Sequence, residues 1–177
     1  MVTSFLNVYD PPNNEKKSEN TMIGDAALVM GASKIHSQYP LSYLKKSILE
    51  AIRQGNIKFY FDIDGLPVGY VTWAYLDHQS QMELLKSHGI SVRPIDWNCG
   101  DLLWIVDLLA PFGHIKYILR DLRDEVFSDQ LKIRYFRLKK QICIAKEISR
   151  ESNSYFFKYP QSIQNRCACG RKNCPVC

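Results

Sequence analysis

The stretch DWNCGDLLWIVDLLAPFG, residues 96–113, constrains the fold more than any other part of this chain. A polar turn at Asn98, Cys99, Gly100 and Asp101 leads into Leu102–Leu109, eight residues of which seven are apolar; Pro111 and Gly113 close the run. Leu, Trp, Ile and Val at that length predict a strand buried on both faces. Asp107 breaks the pattern. A carboxylate in a buried strand is costly unless it is paired, hydrogen-bonded or protonated. In regular alternation its neighbours on the same side of the pleat are Ile105 and Leu109, which offer no relief. Asp107 is therefore either a strand-end acid satisfied by loop amides or an arginine, or an acid held in a cleft to orient a catalytic base.

At 177 residues the chain fits one domain with a tail and can bury a real core. Apolar residues at 46% and charged residues at 23% are ordinary values, so composition excludes no globular class. The net charge of +5 favours an acidic partner but lacks the density of a nucleic-acid binder, so no nucleic acid is expected. No run approaches the roughly 18–20 apolar residues of a membrane span. The first residues have neither a basic n-region nor a long apolar core, so the expected compartment is the cytoplasm. There, six cysteines are free or metal-bound more often than paired.

Residues 1–21 lack apolar periodicity and read as a flexible N-terminal arm. A helix is predicted over 22–31, with Ile23, Ala26, Ala27 and Met30 on one face, followed by a loop ending at Pro40. Ser42 is a candidate cap for a second helix over 43–54, and Gly55 is its stop. Ile57, Phe59, Phe61 and Ile63 alternate, Asp64-Gly65 signals a tight turn, and a return strand follows over 68–75. A short helix is predicted over 80–88. Residues 114–127 form the cleanest amphipathic helix, with Ile115, Ile118, Leu119, Leu122 and Val126 on one face and Lys116, Arg120, Arg123 and Asp124 wet. Residues 131–144 read as one long or two short strands whose Lys and Arg form a solvated face. This order predicts an α/β (α+β) domain, a mixed sheet with helices on both faces. The strand-to-helix junction at Pro111–Gly113 leaves a notch into which the amides of Gly113, His114 and Ile115 would point, suiting an anionic or carbonyl-bearing ligand.

His36 lies in a loop with Ser33 and Ser37. A lone loop histidine is commonly a solvated side chain. His78, His88 and His114 show no metal-ligand spacing with it. No nucleophile elbow, Walker loop or dinucleotide-binding glycine motif is present.

Three segments together carry a resemblance: Gly31-Ala-Ser-x-x-His36, Leu66-Pro-Val-Gly-Tyr-Val-Thr-Trp-Ala74, and Asp96-Trp-x-x-Gly-Asp-x-x-Trp-x-x-Asp107-x-x-Ala-Pro-Phe-Gly113. In order and spacing, across residues 22–127, they resemble the RTX toxin-activating lysine acyltransferases. The resemblance implies a GNAT-like fold with a mostly antiparallel sheet. It also implies transfer of a fatty acyl group from acyl carrier protein (ACP) to internal lysines of an RTX protoxin, with no cofactor required, and a homodimer. His36 then matches the catalytic histidine and Asp107 the catalytic aspartate, with Ser33 in a catalytic or supporting role. The acyltransferase domain would span 22–160.

The chemistry is coherent. Lysine is protonated at neutral pH and must lose a proton before it attacks a thioester. A neutral imidazole at His36 would take that proton, and Asp107 would fix its tautomer and stabilise the imidazolium. Gly113 would contribute its amide to the acyl donor, and Lys116, Arg120 and Arg123 would dock the acidic carrier protein.

Residues 161–177 lie outside the resemblance. Cys167, Cys169, Cys174 and Cys177 have C-x-C and C-x-x-C spacings suited to a structural zinc, against a redox or disordered tail. Two further functions stay open: a GNAT-like enzyme using acyl- or acetyl-CoA on another amine, and a non-enzymatic adaptor with a Cys-rich metal-binding tail. The pyrophosphate-binding glycine loop expected of the first is not visible. The second predicts that His36 and Asp107 are dispensable.

Overall fold

The computed structural model describes residues 17–87, 93, 96–139 and 142–151. The predicted strand forms over Leu102–Leu109 and is the middle one of five. The sheet order follows the chain: β1 (Ile57–Phe61), β2 (Pro67–Leu76), β3 (Leu102–Leu109), β4 (Lys132–Lys139) and β5 (Ile142–Ser149). Only the β3–β4 pairing is parallel; the other three are antiparallel. The fold is thus α/β with a mostly antiparallel sheet flanked by helices, consistent with a GNAT-like arrangement.

Helix α1 (Glu19–Gly31) starts three residues before the expected position. Ser18 caps it, its Oγ accepting the Thr21 amide at 3.1 Å, and Glu19 sits favourably in the first turn. The second predicted helix begins at α2 (Leu41–Tyr43), widens through a π-helical turn at Leu44–Ile48, and resumes as α3 (Leu49–Gln54). Ser42 is not its cap. Pro40 occupies the N-cap position, and no side chain caps this end. Gly55, at φ +71°, stops the helix as predicted. The hairpin turn is held by Asp62, whose Oδ1 accepts the amides of Asp64 and Leu66 at 3.0 and 2.9 Å. Helix α4 (His78–Lys86) is capped by Asp77, and α5 (Ile115–Asp121) passes into a second π-helical turn at Leu122–Val126.

The helices divide between the two faces of the sheet. Ile118, Leu122 and Phe127 pack on one face against Val71, Leu103, Ile105, Ile133 and Ile148. On the other, Ala26, Val29, Met30, Ile48 and Ile52 meet Tyr70 and Leu109, while Leu84 and Trp97 meet Ala74, Leu76 and Trp104. The turn before β3 packs tightly on the end of β2. A Cβ on Gly100 would lie 2.5 Å from the Leu76 carbonyl oxygen, so this position excludes any side chain. On the β4–β5 hairpin, Lys132 and Arg134 both pair with Glu147, at 3.1 and 2.8 Å.

Two irregularities of β3 position the site. First, Thr72 faces Asp107 and Trp73 faces Ile105, so Val106 is an extra residue, a β-bulge. Ile105 packs with the α5 face, whereas Val106 packs with the opposite face. Beyond the bulge, Leu108 returns to the α5 face and Leu109 to the α1 face. Asp107 therefore does not share a face with Ile105, as regular alternation predicts. It points to the α1 side. Second, the parallel ladder with β4 contains the pairs Trp104–Arg134 and Ile105–Tyr135, and beyond them no ladder joins the two strands among the described residues. Asp107 stands two residues past the last pair, where the strands part.

Candidate active site

Asp107 and His36, far apart in the chain, meet on the α1 face. The chain leaves α1 through a tight turn, with the Ser33 amide on the Met30 carbonyl at 3.0 Å and the Ser37 amide on the Ser33 carbonyl at 2.9 Å. A single 3-10 turn, His36–Gln38, follows. It projects the imidazole at the sheet, where His36 Nε2 lies 3.2 Å from Asp107 Oδ1. The two side chains are only 14% and 11% exposed, so water screens the pair weakly.

The other ring nitrogen, Nδ1, lies 3.1 Å from Ser33 Oγ. Ser33 Oγ also accepts the His36 backbone amide, at 3.3 Å, which leaves the serine hydrogen free to point at Nδ1. The network assigns one neutral tautomer. Nε2 carries the proton and donates to the carboxylate, and Nδ1 presents its lone pair to the serine hydroxyl. The nitrogen able to take a proton is thus Nδ1.

Asp107 is satisfied on its second oxygen by two side chains absent from the sequence-based expectation. Tyr43, in α2, and Tyr70, in β2, each donate a hydroxyl hydrogen to Oδ2 at 2.8 Å. Burial, and then the Asp107 charge, push both phenols far above the usual tyrosine range, so both remain donors. Tyr39 completes the wall. Its ring lies 4.8 Å from that of His36 and 4.9 Å from that of Tyr43. Its phenol is also pushed up, by burial first and then by Asp107 and Cys143. One sequence signal could have found Tyr70: a tyrosine on the inward face of a strand needs a partner for its hydroxyl, and Asp107 is the acid within reach.

The other expected residues lie elsewhere. Helix α5 packs on the opposite face of the sheet from His36, so Gly113, Lys116, Arg120 and Arg123 do not join the pair. The Gly113 amide is not free for a ligand, since it donates to the Ala110 carbonyl at 3.3 Å. Arg123 pairs with its neighbour Asp124, which Arg120 also approaches, at 3.8 Å. Cys167, Cys169, Cys174 and Cys177 fall outside the described residues. Among the described residues, no cluster of His, Cys, Asp and Glu is arranged to hold a metal. No helix among them is long and apolar enough to cross a membrane.

Known proteins supply the context. Residues 15–150 match the model of the RTX toxin acyltransferase family. The lysine-acyltransferase RtxC of Vibrio cholerae is 32% identical over 120 residues, 67% of this chain and 77% of that protein. An uncharacterized protein of Synechocystis is 28% identical over 141 residues, 78% of this chain and 92% of its own length. The protein-lysine myristoyltransferase RtxC of Kingella kingae is 30% identical over 109 residues, 62% of this chain and 64% of that protein. With the family model spanning most of its length, the chain belongs to the RTX toxin acyltransferase family and is an acyltransferase.

Proposed function

We propose that this chain transfers a fatty acyl group from the thioester of acyl carrier protein to internal lysine ε-amines of an RTX protoxin in the cytoplasm, with His36 as general base and Asp107 as its partner. The observation that carries the reading is the His36–Asp107 contact at 3.2 Å, placed where β3 and β4 separate. The parted strand edges suit the amide-rich phosphopantetheine arm that carries the acyl group. His36 then faces the incoming thioester from the α1 side.

The lysine ammonium first releases one proton to solvent to become a nucleophile, and that proton is the net proton released by the reaction. As the nitrogen attacks the thioester carbon and the C–N bond forms, His36 Nδ1 accepts a second proton from it. Asp107 stabilises the imidazolium through Nε2. As the C–S bond breaks, that proton passes to the departing sulfur, which leaves as the carrier protein's thiol. In this scheme Ser33 holds Nδ1 until the amine displaces its hydroxyl.

The test is intact-mass analysis of a protoxin fragment co-expressed with wild type, His36→Ala or Asp107→Asn. A fatty-acyl mass gain with wild type and none with either variant is the expected result. No gain with folded wild type and charged carrier protein would sink the reading. Modification only when acyl-CoA replaces the carrier protein would redirect it to a CoA-dependent enzyme.

A further inference from the structure

Asp107 has more donors than a tautomer-fixing carboxylate needs. In a two-residue base–orienter pair, one oxygen facing the histidine is enough, and the other can remain in water. Here the side chain is only 11% exposed and its second oxygen is held by two phenols from two different elements. Tyr43 comes from the helix that follows the His36 loop, and Tyr70 from the strand beside β3. Tyr70 is fully buried. A buried tyrosine needs one acceptor for its hydroxyl, and that alone would explain one such contact. Two phenols converging on one carboxylate oxygen, at equal distances of 2.8 Å, fix the plane of the carboxylate as well as satisfying it.

We propose that Tyr43 and Tyr70 are positioning residues of the transfer reaction: together they lock the Asp107 carboxylate with Oδ1 turned to His36 Nε2, so that Nδ1 stays the base nitrogen. The proposal rests on the reading of His36 and Asp107 as the base and its partner.

The tyrosines also set how strongly the pair holds a proton. Each phenol draws charge from the carboxylate. With the phenols gone, the anion is stabilised less, and it suffers most when the imidazole beside it is neutral. Removing a phenol therefore favours the imidazolium. The groups facing this pair are Ser33 and Tyr39 from the loop and its 3-10 turn, Tyr43 from α2 and Tyr70 from β2. Cys143 of β5 lies close enough to act on Tyr39.

Tyr43→Phe and Tyr70→Phe keep the rings and remove the hydroxyls. Two readouts apply to the full chain. With carrier protein and protoxin fragment, each variant should lower kcat roughly tenfold with KM unchanged, and move the acidic limb of the kcat profile to higher pH. Without any substrate, the imidazole nitrogens of labelled protein, with the His36 signals assigned by their loss in His36→Ala, should titrate at higher pH in each variant than in wild type. The proton should also become less confined to Nε2. A purely structural role would lower stability or activity and leave both titrations in place. Unchanged His36 titration in folded Tyr43→Phe and Tyr70→Phe would overturn the proposal. Should Tyr70→Phe fail to fold, Tyr43→Phe decides it alone. The nitrogen titration needs no acyl transfer, so a wild type that acylates nothing would defeat the functional reading and still leave this measurement decisive.

Discussion

His36 presents Nε2, not Nδ1, to Asp107, at 3.2 Å, and turns Nδ1 toward Ser33 at 3.1 Å. In the familiar Ser-His-Asp arrangement the acid holds Nδ1 and Nε2 does the proton transfer. The roles of the two nitrogens are exchanged here because the histidine and Ser33 share one short turn. A serine three residues before the histidine reaches the near nitrogen, and only the far one extends to the sheet.

That exchange makes Asp107→Asn a sharp substitution. An asparagine amide offers one oxygen and one NH2. Tyr43 and Tyr70 both donate to the Oδ2 position, so the amide oxygen settles there. Its NH2 then faces Nε2, which must become an acceptor, and the ring proton moves to Nδ1, the nitrogen needed as base. The expected loss in acylation rate is roughly a thousandfold or more, with little change in thermal stability. Rate measurements paired with nitrogen shifts of His36 check both halves. A variant within tenfold of wild type would show that the tautomer is not held this way.

Ser33→Ala separates a waiting partner from a nucleophile. Ser33 Oγ is tied back to the His36 amide at 3.3 Å, a local bond that fixes the turn. If the hydroxyl only occupies Nδ1, its removal should cost about tenfold or less, through a looser imidazole. Loss as complete as that of His36→Ala, together with an acylated Ser33 peptide from wild type, would instead indicate transfer through the enzyme.

Sequence periodicity located β3 to the residue and found the hairpin ahead of it; the strand span expected over 131–144 covers β4 and only the start of β5, which runs on to Ser149. Asp107 stands out by chemistry alone, as an acid in an apolar strand, whereas His36 is tied to it only through the family resemblance. What periodicity could not supply was the face on which Asp107 lies. Alternation grouped it with Ile105, and a single extra residue, Val106, put it on the other side. Nothing in Val106 marks a bulge, because the slip is set by pairing with Thr72 and Trp73 across the sheet. The same limit hid the tyrosines. Tyr43 looked like one more residue of an amphipathic helix, and Tyr70 like one more strand residue. Their convergence exists only after β2, β3 and the helix have packed. The docking role expected of α5 rests on charge alone; the structure adds that Arg123 pairs with the adjacent Asp124.

Away from the site, Asp121 tests whether the sheet edge depends on an internal ion pair. It accepts Lys58 Nζ at 3.0 and 2.8 Å and the Tyr60 hydroxyl at 2.8 Å, tying the end of α5 to β1. Asp121→Ala leaves both donors without their acceptor. Because Lys58 is 33% exposed and can partly rehydrate, the expected cost is about 2 kcal/mol, below that of a fully buried pair. Urea unfolding of the variant should show the loss, with acyl transfer by the folded fraction unchanged. The double variant Lys58→Met, Asp121→Leu should recover much of the stability, as apolar replacements of such pairs commonly do.

Stability at alkaline pH depends on phenols raised by the fold, Tyr39 and Tyr75 as well as the three most buried ones. Tyr43, Tyr60 and Tyr70 are each pushed well above the usual tyrosine value, by burial first and by Asp107 or Asp121 next. In the unfolded chain they ionise near the ordinary value of about 10. Below that pH, folded and unfolded states bind the same protons and the phenols add no pH dependence. Above it the unfolded state loses protons that the folded state keeps, so stability falls as pH rises, by about 1.4 kcal/mol per unit for each phenol. Urea midpoints should therefore be flat between pH 8 and 9 as far as the tyrosines decide, and drop steeply beyond about pH 10. Tyr43→Phe and Tyr70→Phe should each lower stability near pH 8 and flatten the alkaline slope by about 1.4 kcal/mol per pH unit, since each removes one phenol that the fold keeps protonated. A slope identical in wild type and both variants would mean that these hydroxyls are not held protonated by the fold.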